Sequence, residues 1–84
     1  MTEHTKKILE AIRKSINLYE QGKIDEEGLE KNLVGNKEAL EDQHIQNQLD
    51  NFINKIEESL YLFDIDKGKE FLSQEIKKLK KELL

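Results

Sequence analysis

The sequence predicts an all-α fold, an antiparallel four-helix bundle built from two helical hairpins. Its 84 residues include no proline and only four glycines. Glu, Lys, Leu, Ile and Gln dominate the chain, and the straight-chain residues among them favour helices because they lose little side-chain freedom there. Apolar residues recur at helical spacing in four stretches separated by short breaks. Two hairpins with short connections predict the bundle, and the length suits a single domain over residues 1–84.

The first predicted helix covers residues 5–21. Thr5 is expected to cap its N-terminus, and Gly22 follows its last turn, where a left-handed glycine is common. Its apolar stripe consists of Ile8, Leu9, Ile12, Ile16 and Tyr19.

The second predicted helix has the clearest start signal in the chain. Asp25 is expected to cap it, and two glutamates follow in the first turn, where a helix N-terminus favours anions. The helix is expected to continue to about Glu41. Asn36 falls in the centre of its apolar stripe, so residues 34–36 are either a kink or a small-residue contact with another helix. The sequence leaves both readings open.

The second hairpin is predicted from residues 45–63 and 69–83. Asp66 is expected to cap the last helix, and Gly68 is expected to be a turn residue in the connection before it. The apolar stripes consist of Ile45, Leu49, Phe52, Ile53, Ile56, Leu60 and Phe63 in the third helix, and of Leu72, Ile76, Leu79 and Leu83 in the fourth.

The residue inventory argues against catalysis. The chain has no cysteine, and therefore no thiolate to act as nucleophile or metal ligand. Its histidines, His4 and His44, lie near the N-terminus and in a predicted connection, and no glycine-rich phosphate loop is present. A calcium loop starting at Asp64 lacks the fifth-position oxygen ligand and the turn glycine. We therefore expect no enzyme activity, no cofactor and no metal.

The compartment is predicted to be the cytoplasm. The lack of cysteine suits a reducing environment. No stretch approaches the ~20 apolar residues that a membrane span needs.

Charge is unevenly distributed along the chain. Residues 20–66 contain 13 acidic side chains and four lysines, a net charge of −9, against −4 for the whole chain. An acidic surface disfavours nucleic acid and anionic membranes as partners and favours a basic protein. We expect the binding face to lie on the central helices and to comprise Asp25, Glu26, Glu27, Glu30, Glu38, Glu41 and Asp42.

One family resemblance lies in the first hairpin. The pattern is a helix, then Gly-Lys-Ile-Asp, then a helix of spaced leucines. It comprises INLYEQGKID over residues 16–25, followed by Leu29, Leu33, Gly35, Ala39 and Leu40. This pattern covers about half of the chain and resembles small bacterial immunity proteins of the colicin D immunity type. The resemblance implies a helical bundle that binds and blocks a toxin, such as a nuclease, through acidic side chains.

A rival resemblance lies in the third helix. The segment QNQLD over residues 46–50 is similar to the Ser-Gln-Glu-Leu-Asp motif of small helical-hairpin phosphatases of the sporulation phosphorelay, with Asn47 and Gln48 in place of Gln and Glu. It implies dephosphorylation of an aspartyl-phosphate, which Asp50→Ala should abolish. The second hairpin is surplus to that family.

A structural or adaptor module is the other alternative. Six apolar residues fall off the main stripes and could form a homodimer interface. They are Leu18, Val34, Tyr61, Leu62, Phe71 and Leu84.

Overall fold

Four helices make up the fold in a computed structural model that describes residues 2–84. They are α1 (Glu3–Glu20), α2 (Glu26–Glu38), α3 (Gln43–Tyr61) and α4 (Ile65–Glu82). Consecutive helices are antiparallel and pack against each other. This arrangement confirms the predicted all-α four-helix bundle. None of these helices is long and apolar enough to cross a membrane.

The core consists of most residues of the apolar stripes that the sequence predicted. Phe63 of those stripes is exposed, and Tyr19, Leu60 and Leu83 are only partly buried. Ile12, Ile16, Leu49, Ile56 and Leu72 are among its fully buried side chains. Each helix contributes one apolar face, and Tyr19, Ile24, Leu60, Leu83 and Leu84 pack around the margin. The burial follows from the helical spacing, because residues three and four apart lie on the same face of a helix.

Every helix begins at a side-chain cap. The caps are Thr2, Asp25, Asp42 and Asp64, and each accepts a hydrogen bond from a backbone N–H in the first turn. The predicted caps Thr5 and Asp66 are therefore wrong. Thr5 lies inside α1, where it is buried and its hydroxyl accepts a hydrogen bond from Thr2 Oγ1 at 3.0 Å. Asp66 lies in the first turn of α4.

The glycine that the sequence predicted follows the last turn of α1. Gly22 has φ +76°, which favours glycine because a side chain is strained there. The Lys23 N–H donates to the Leu18 carbonyl at 2.9 Å and the Gly22 N–H donates to that of Tyr19 at 3.0 Å. These two bonds form a Schellman motif, which satisfies carbonyls at the end of the helix.

α2 is continuous through residues 34–36 but shorter than predicted. It ends at Glu38, three residues before Glu41, and Asp42 caps α3 instead of lying in a connection that extends to His44. The Asn36 amide donates to the Asn32 carbonyl of its own helix, so its polar group is satisfied without a kink. A Cβ on Gly35 would meet nothing within 4 Å. The continuous helix that the sequence predicted through this stretch is confirmed, and the alternative of a small-residue contact at Gly35 is wrong.

The connection between α3 and α4 differs most from the prediction. α4 begins at Ile65, so Gly68 is a buried helix residue and not a turn residue. A Cβ at this position would overlap the Ser59 carbonyl oxygen of α3. The missing side chain therefore allows the two helices to approach closely just below their connecting turn.

Candidate protein-binding end of the bundle

The net charge of the protein lies at one end of the bundle. We define the acidic end as residues 23–30 and 55–69, which include the start of α2, the last turns of α3 and the start of α4. Antiparallel packing brings these segments together, and a small cleft of about 60 Å³ is lined in common by Glu26, Phe63 and Lys69. The acidic end carries eight acidic residues and four lysines, a net charge of −4, whereas the rest of the chain carries ten of each sign.

The seven residues predicted as one binding face fall into two groups. Asp25, Glu26, Glu27 and Glu30 lie at the acidic end, whereas Glu38, Glu41 and Asp42 lie at and beyond the C-terminal end of α2. Eleven residues separate Glu27 from Glu38, which corresponds to about 16 Å along a helix. The predicted residues thus lie at both ends of α2, and the larger share of the negative charge lies at the acidic end.

Lysines do not neutralise these seven carboxylates. Within residues 2–84, none of the seven takes part in an ion pair. Two of them have a structural role, because Asp25 accepts from the Gly28 N–H at 2.8 Å and Asp42 from the Ile45 N–H at 3.1 Å. Two more, Glu26 and Glu30, take part in hydrogen bonds within the chain, with Tyr19 and Glu57. Glu27, Glu38 and Glu41 are exposed and leave their carboxylates available to a partner.

The α2–α3 contact includes a carboxylate cluster of Glu27, Glu30 and Glu57. Burial raises the pKa of Glu30 above its ordinary value, and a hydrogen bond with Glu57 and the negative charges of Glu57 and Glu27 raise it further. The Oε2 atom of Glu30 is buried without a hydrogen-bond partner. Repulsion and incomplete hydration therefore make this point of the acidic end unfavourable in the free protein.

An open cleft of about 650 Å³ borders the α1–α2 turn. Its lining includes Tyr19, Lys23, Glu26, Lys69 and Ser73. Burial raises the pKa of the Tyr19 hydroxyl well above its ordinary value, and a hydrogen bond and the negative charge of Glu26 add to the effect. In this arrangement the phenol remains a neutral donor to the carboxylate, and the pair joins α1 to the start of α2.

The carboxylate of the phosphatase-like segment binds a lysine of α2. Lys37 Nζ lies 2.6 Å from Asp50 Oδ1, and the Gln46 amide donates to the Lys37 carbonyl at 3.2 Å. These contacts hold α3 against the end of α2, which is a packing role.

An exposed apolar cluster lies at the acidic end, and the sequence predicted it only in part, because Tyr61 and Leu62 are among the six off-stripe residues that could form an interface. We call it the apolar tip; it consists of Tyr61, Leu62, Phe63 and Ile65, which are 76%, 72%, 41% and 77% exposed. Phe63 was expected in the buried stripe of α3, but that helix ends at Tyr61. The available signal was the apolar run at residues 60–63, which no single helix face can bury.

The six off-stripe residues do not behave as one interface. Phe71 packs on Phe63 with ring centroids 4.9 Å apart, and Lys55 Nζ lies 5.9 Å from the Phe71 centroid. Leu84 packs against the core, and its carbonyl accepts from the Arg13 guanidinium. Tyr61 and Leu62 belong to the apolar tip.

Comparisons with protein-family models, with curated proteins and with solved structures found no match to this chain. The resemblance to immunity proteins of the colicin D type therefore stays a prediction. The class of protein that the structure defines is an all-α four-helix bundle with its net charge and an exposed apolar cluster at the same end.

Proposed function

We propose that this protein is a stoichiometric inhibitor of the immunity or antitoxin type, which neutralises a basic toxin domain by binding it. The observation that carries the proposal is the position of the entire net charge of −4 at one end of the bundle. The resemblance in the first hairpin supports the same class and implies a nuclease as one such toxin.

The physical basis is electrostatic complementarity. Carboxylates without lysine partners in their own chain, such as Glu26 and Glu27, can bind the basic side chains that hold phosphates in a nuclease cleft. Opposite charges also accelerate association, which an inhibitor of a toxin needs.

Co-expression with the product of the neighbouring gene tests the proposal. We expect the wild-type chain to protect cells from that product, and the double variant Glu26→Gln/Glu27→Gln to protect them much less. Glu10→Gln is a matched control, because Glu10 is exposed on α1 outside the acidic end. A neighbouring product that is harmless, or whose toxicity this chain leaves unchanged, contradicts the proposal.

A second pair of substitutions separates the two groups of acidic residues. Glu38→Gln/Glu41→Gln removes two charges from the opposite end of α2, as many as Glu26→Gln/Glu27→Gln removes from the acidic end. Loss of protection in this variant alone would move the binding face away from the acidic end.

A homodimeric adaptor is the second candidate function, and the apolar tip is the observation that favours it. Exposed apolar clusters of this kind often mark protein interfaces. Light scattering at low and high salt separates the candidates, because a dimer insensitive to salt supports the adaptor. A monomer supports an acidic surface that is free to bind a basic partner.

A further inference from the structure

We propose that the apolar tip is the anchor of the interface, and that the partner presents an apolar groove bordered by lysine or arginine side chains. This inference rests on the proposed function and adds the apolar half of the binding site to its acidic half. Its partner is a basic protein surface, and not a second copy of this chain.

Exposure supports the anchor. Tyr61, Leu62 and Ile65 are each more than 70% exposed, whereas the buried core residues are at most 8% exposed. Outside the acidic end, the most exposed large apolar side chain in residues 2–84 is Val34 at 36%. The exposed apolar surface is thus concentrated at one place, and that place also carries the net charge.

The apolar tip is held by packing on the bundle. The Phe63 ring packs on Phe71 of α4 with its centroid 4.9 Å away. The contact of Gly68 with the Ser59 backbone holds α3 and α4 close together below the turn. A turn whose backbone is held in place loses little backbone freedom on binding, which favours affinity.

Charge around the apolar tip selects its occupant. Residues 55–69 around the tip carry four acidic side chains and three lysines, a net charge of −1, and residues 23–30 beside them carry −3. The four acidic residues are Glu57, Glu58, Asp64 and Asp66, and Glu58 is paired with Lys55 at 3.4 Å. A dimer formed tip to tip would bring two ends of net charge −4 together, which disfavours a second copy. A groove with basic borders gains both apolar burial and charge pairing, and an apolar centre with a charged rim is the usual anatomy of protein interfaces.

A peptide of defined composition tests the anchor with the full chain. The probe is an amphipathic helical peptide of leucine and lysine. One control peptide has glutamate in place of lysine, and a second has serine in place of leucine. We expect the leucine–lysine peptide to bind, both control peptides to bind far more weakly, and backbone NMR shifts to change mainly in residues 23–30 and 55–69.

The decisive variant is Tyr61→Ser/Leu62→Ser/Ile65→Ser. Its three side chains lie in water, so its melting temperature should remain near that of the wild type, and we expect its affinity for the peptide to fall about tenfold or more. Val34→Ser is the matched control, because it removes an exposed apolar side chain outside the acidic end. It should leave the affinity unchanged.

The outcomes distinguish the anchor from the proposed function. Full affinity in the triple serine variant, together with a loss in Glu26→Gln/Glu27→Gln, overturns the anchor and leaves the acidic binding surface in place. Absence of peptide binding to the wild type overturns the anchor, while protection against a toxin in cells would still support the proposed function. A wild-type dimer that the triple variant converts to a monomer assigns the apolar tip to a second copy and overturns the anchor.

Discussion

Gly68 in α4 lies against the Ser59 carbonyl oxygen in α3, so close that a side chain at position 68 would overlap it. The Ser59 hydroxyl donates to the Ile56 carbonyl at 2.6 Å within its own helix. Both residues are buried. The contact sets the distance between the two helices that carry the apolar tip.

Gly68→Ala should destabilise the protein, although alanine is the better helix former. The methyl group forces the helices apart, and overpacking of this kind costs about 1–3 kcal/mol. Chemical denaturation measures the change in the free energy of unfolding.

Gly35→Ala is the matched control for that substitution. Gly35 lies in α2, is exposed, and has nothing within 4 Å of an added Cβ. It should stabilise the protein by about 0.4–1 kcal/mol. If Gly68→Ala also proved stabilising, the close approach of α3 and α4 would be contradicted.

Glu30→Gln should raise the melting temperature at neutral pH. The pKa of Glu30 is higher in the folded state than its ordinary value, mainly because of burial and then because of Glu57 and Glu27. The folded state therefore holds this proton more tightly than the unfolded state. That contribution to stability is complete below the unfolded pKa and is lost as pH rises through the raised folded pKa.

The melting temperature of the variant should accordingly depend less on pH than that of the wild type over the range in which Glu30 loses its proton. Circular dichroism melts from about pH 4 to about pH 8 check this. Glu38→Gln is the control, because Glu38 lies exposed on the same helix. Equal shifts of the melting temperature in both variants would contradict the conclusion that the carboxylate cluster destabilises the free protein.

Asp25→Ala should destabilise the protein by about 1 kcal/mol, because it removes the N-cap of α2. Asp25→Asn keeps an acceptor for the Gly28 N–H, which the carboxylate binds at 2.8 Å, so it should cost much less. The asparagine variant therefore tests the charge of Asp25 in binding without loss of the cap. Equal destabilisation by both substitutions in denaturation would show that the charge, and not the cap, matters for folding.

Glu26→Gln should lower the pKa of Tyr19 towards its ordinary value without restoring it. The substitution removes the charge of Glu26, whereas burial, the larger cause, remains. The chain has two tyrosines, so a Tyr61→Phe background leaves Tyr19 as the single phenol to follow by ultraviolet absorbance. An unchanged titration of Tyr19 in the Glu26→Gln variant would contradict the contact between Tyr19 and Glu26.

Periodicity sufficed to predict the helices and their buried faces, because each helix buries one face and its apolar residues therefore recur three or four positions apart. Ile12 and Ile16 of α1 and Leu72 of α4 are examples. The helix starts were harder, since several residues offered the same capping chemistry. Asp66 was chosen over Asp64, although the apolar residue between them, Ile65, begins the helix. The role of Gly68 depends on the position of the Ser59 carbonyl in another helix, which no local pattern encodes.

The candidate site was predicted in part. The acidic middle of the chain was evident from counting, and Glu26 and Glu27 do lie at the acidic end. A count along the chain does not show that Glu27 and Glu38 lie at opposite ends of α2. It also does not show that lysines and an arginine outside the acidic end balance the remaining carboxylates. Tyr61 and Leu62 of the apolar tip were predicted as possible interface residues. Phe63 was not, because α3 ends at Tyr61 and leaves Phe63 outside the helix whose stripe it continued.

The separation of charge gives this molecule an electric dipole moment. Its dimensions are 39 × 23 × 21 Å, and α3, with 19 residues, is about 28 Å long. The negative pole lies at the acidic end, where residues 23–30 carry a net charge of −3 and residues 55–69 carry −1, and the charges of the other residues sum to zero. In the field of a basic surface such a body experiences a torque that turns this pole forward before contact. The Tyr61 and Ile65 side chains would then arrive first, so the geometry of the encounter already favours the orientation of the final complex.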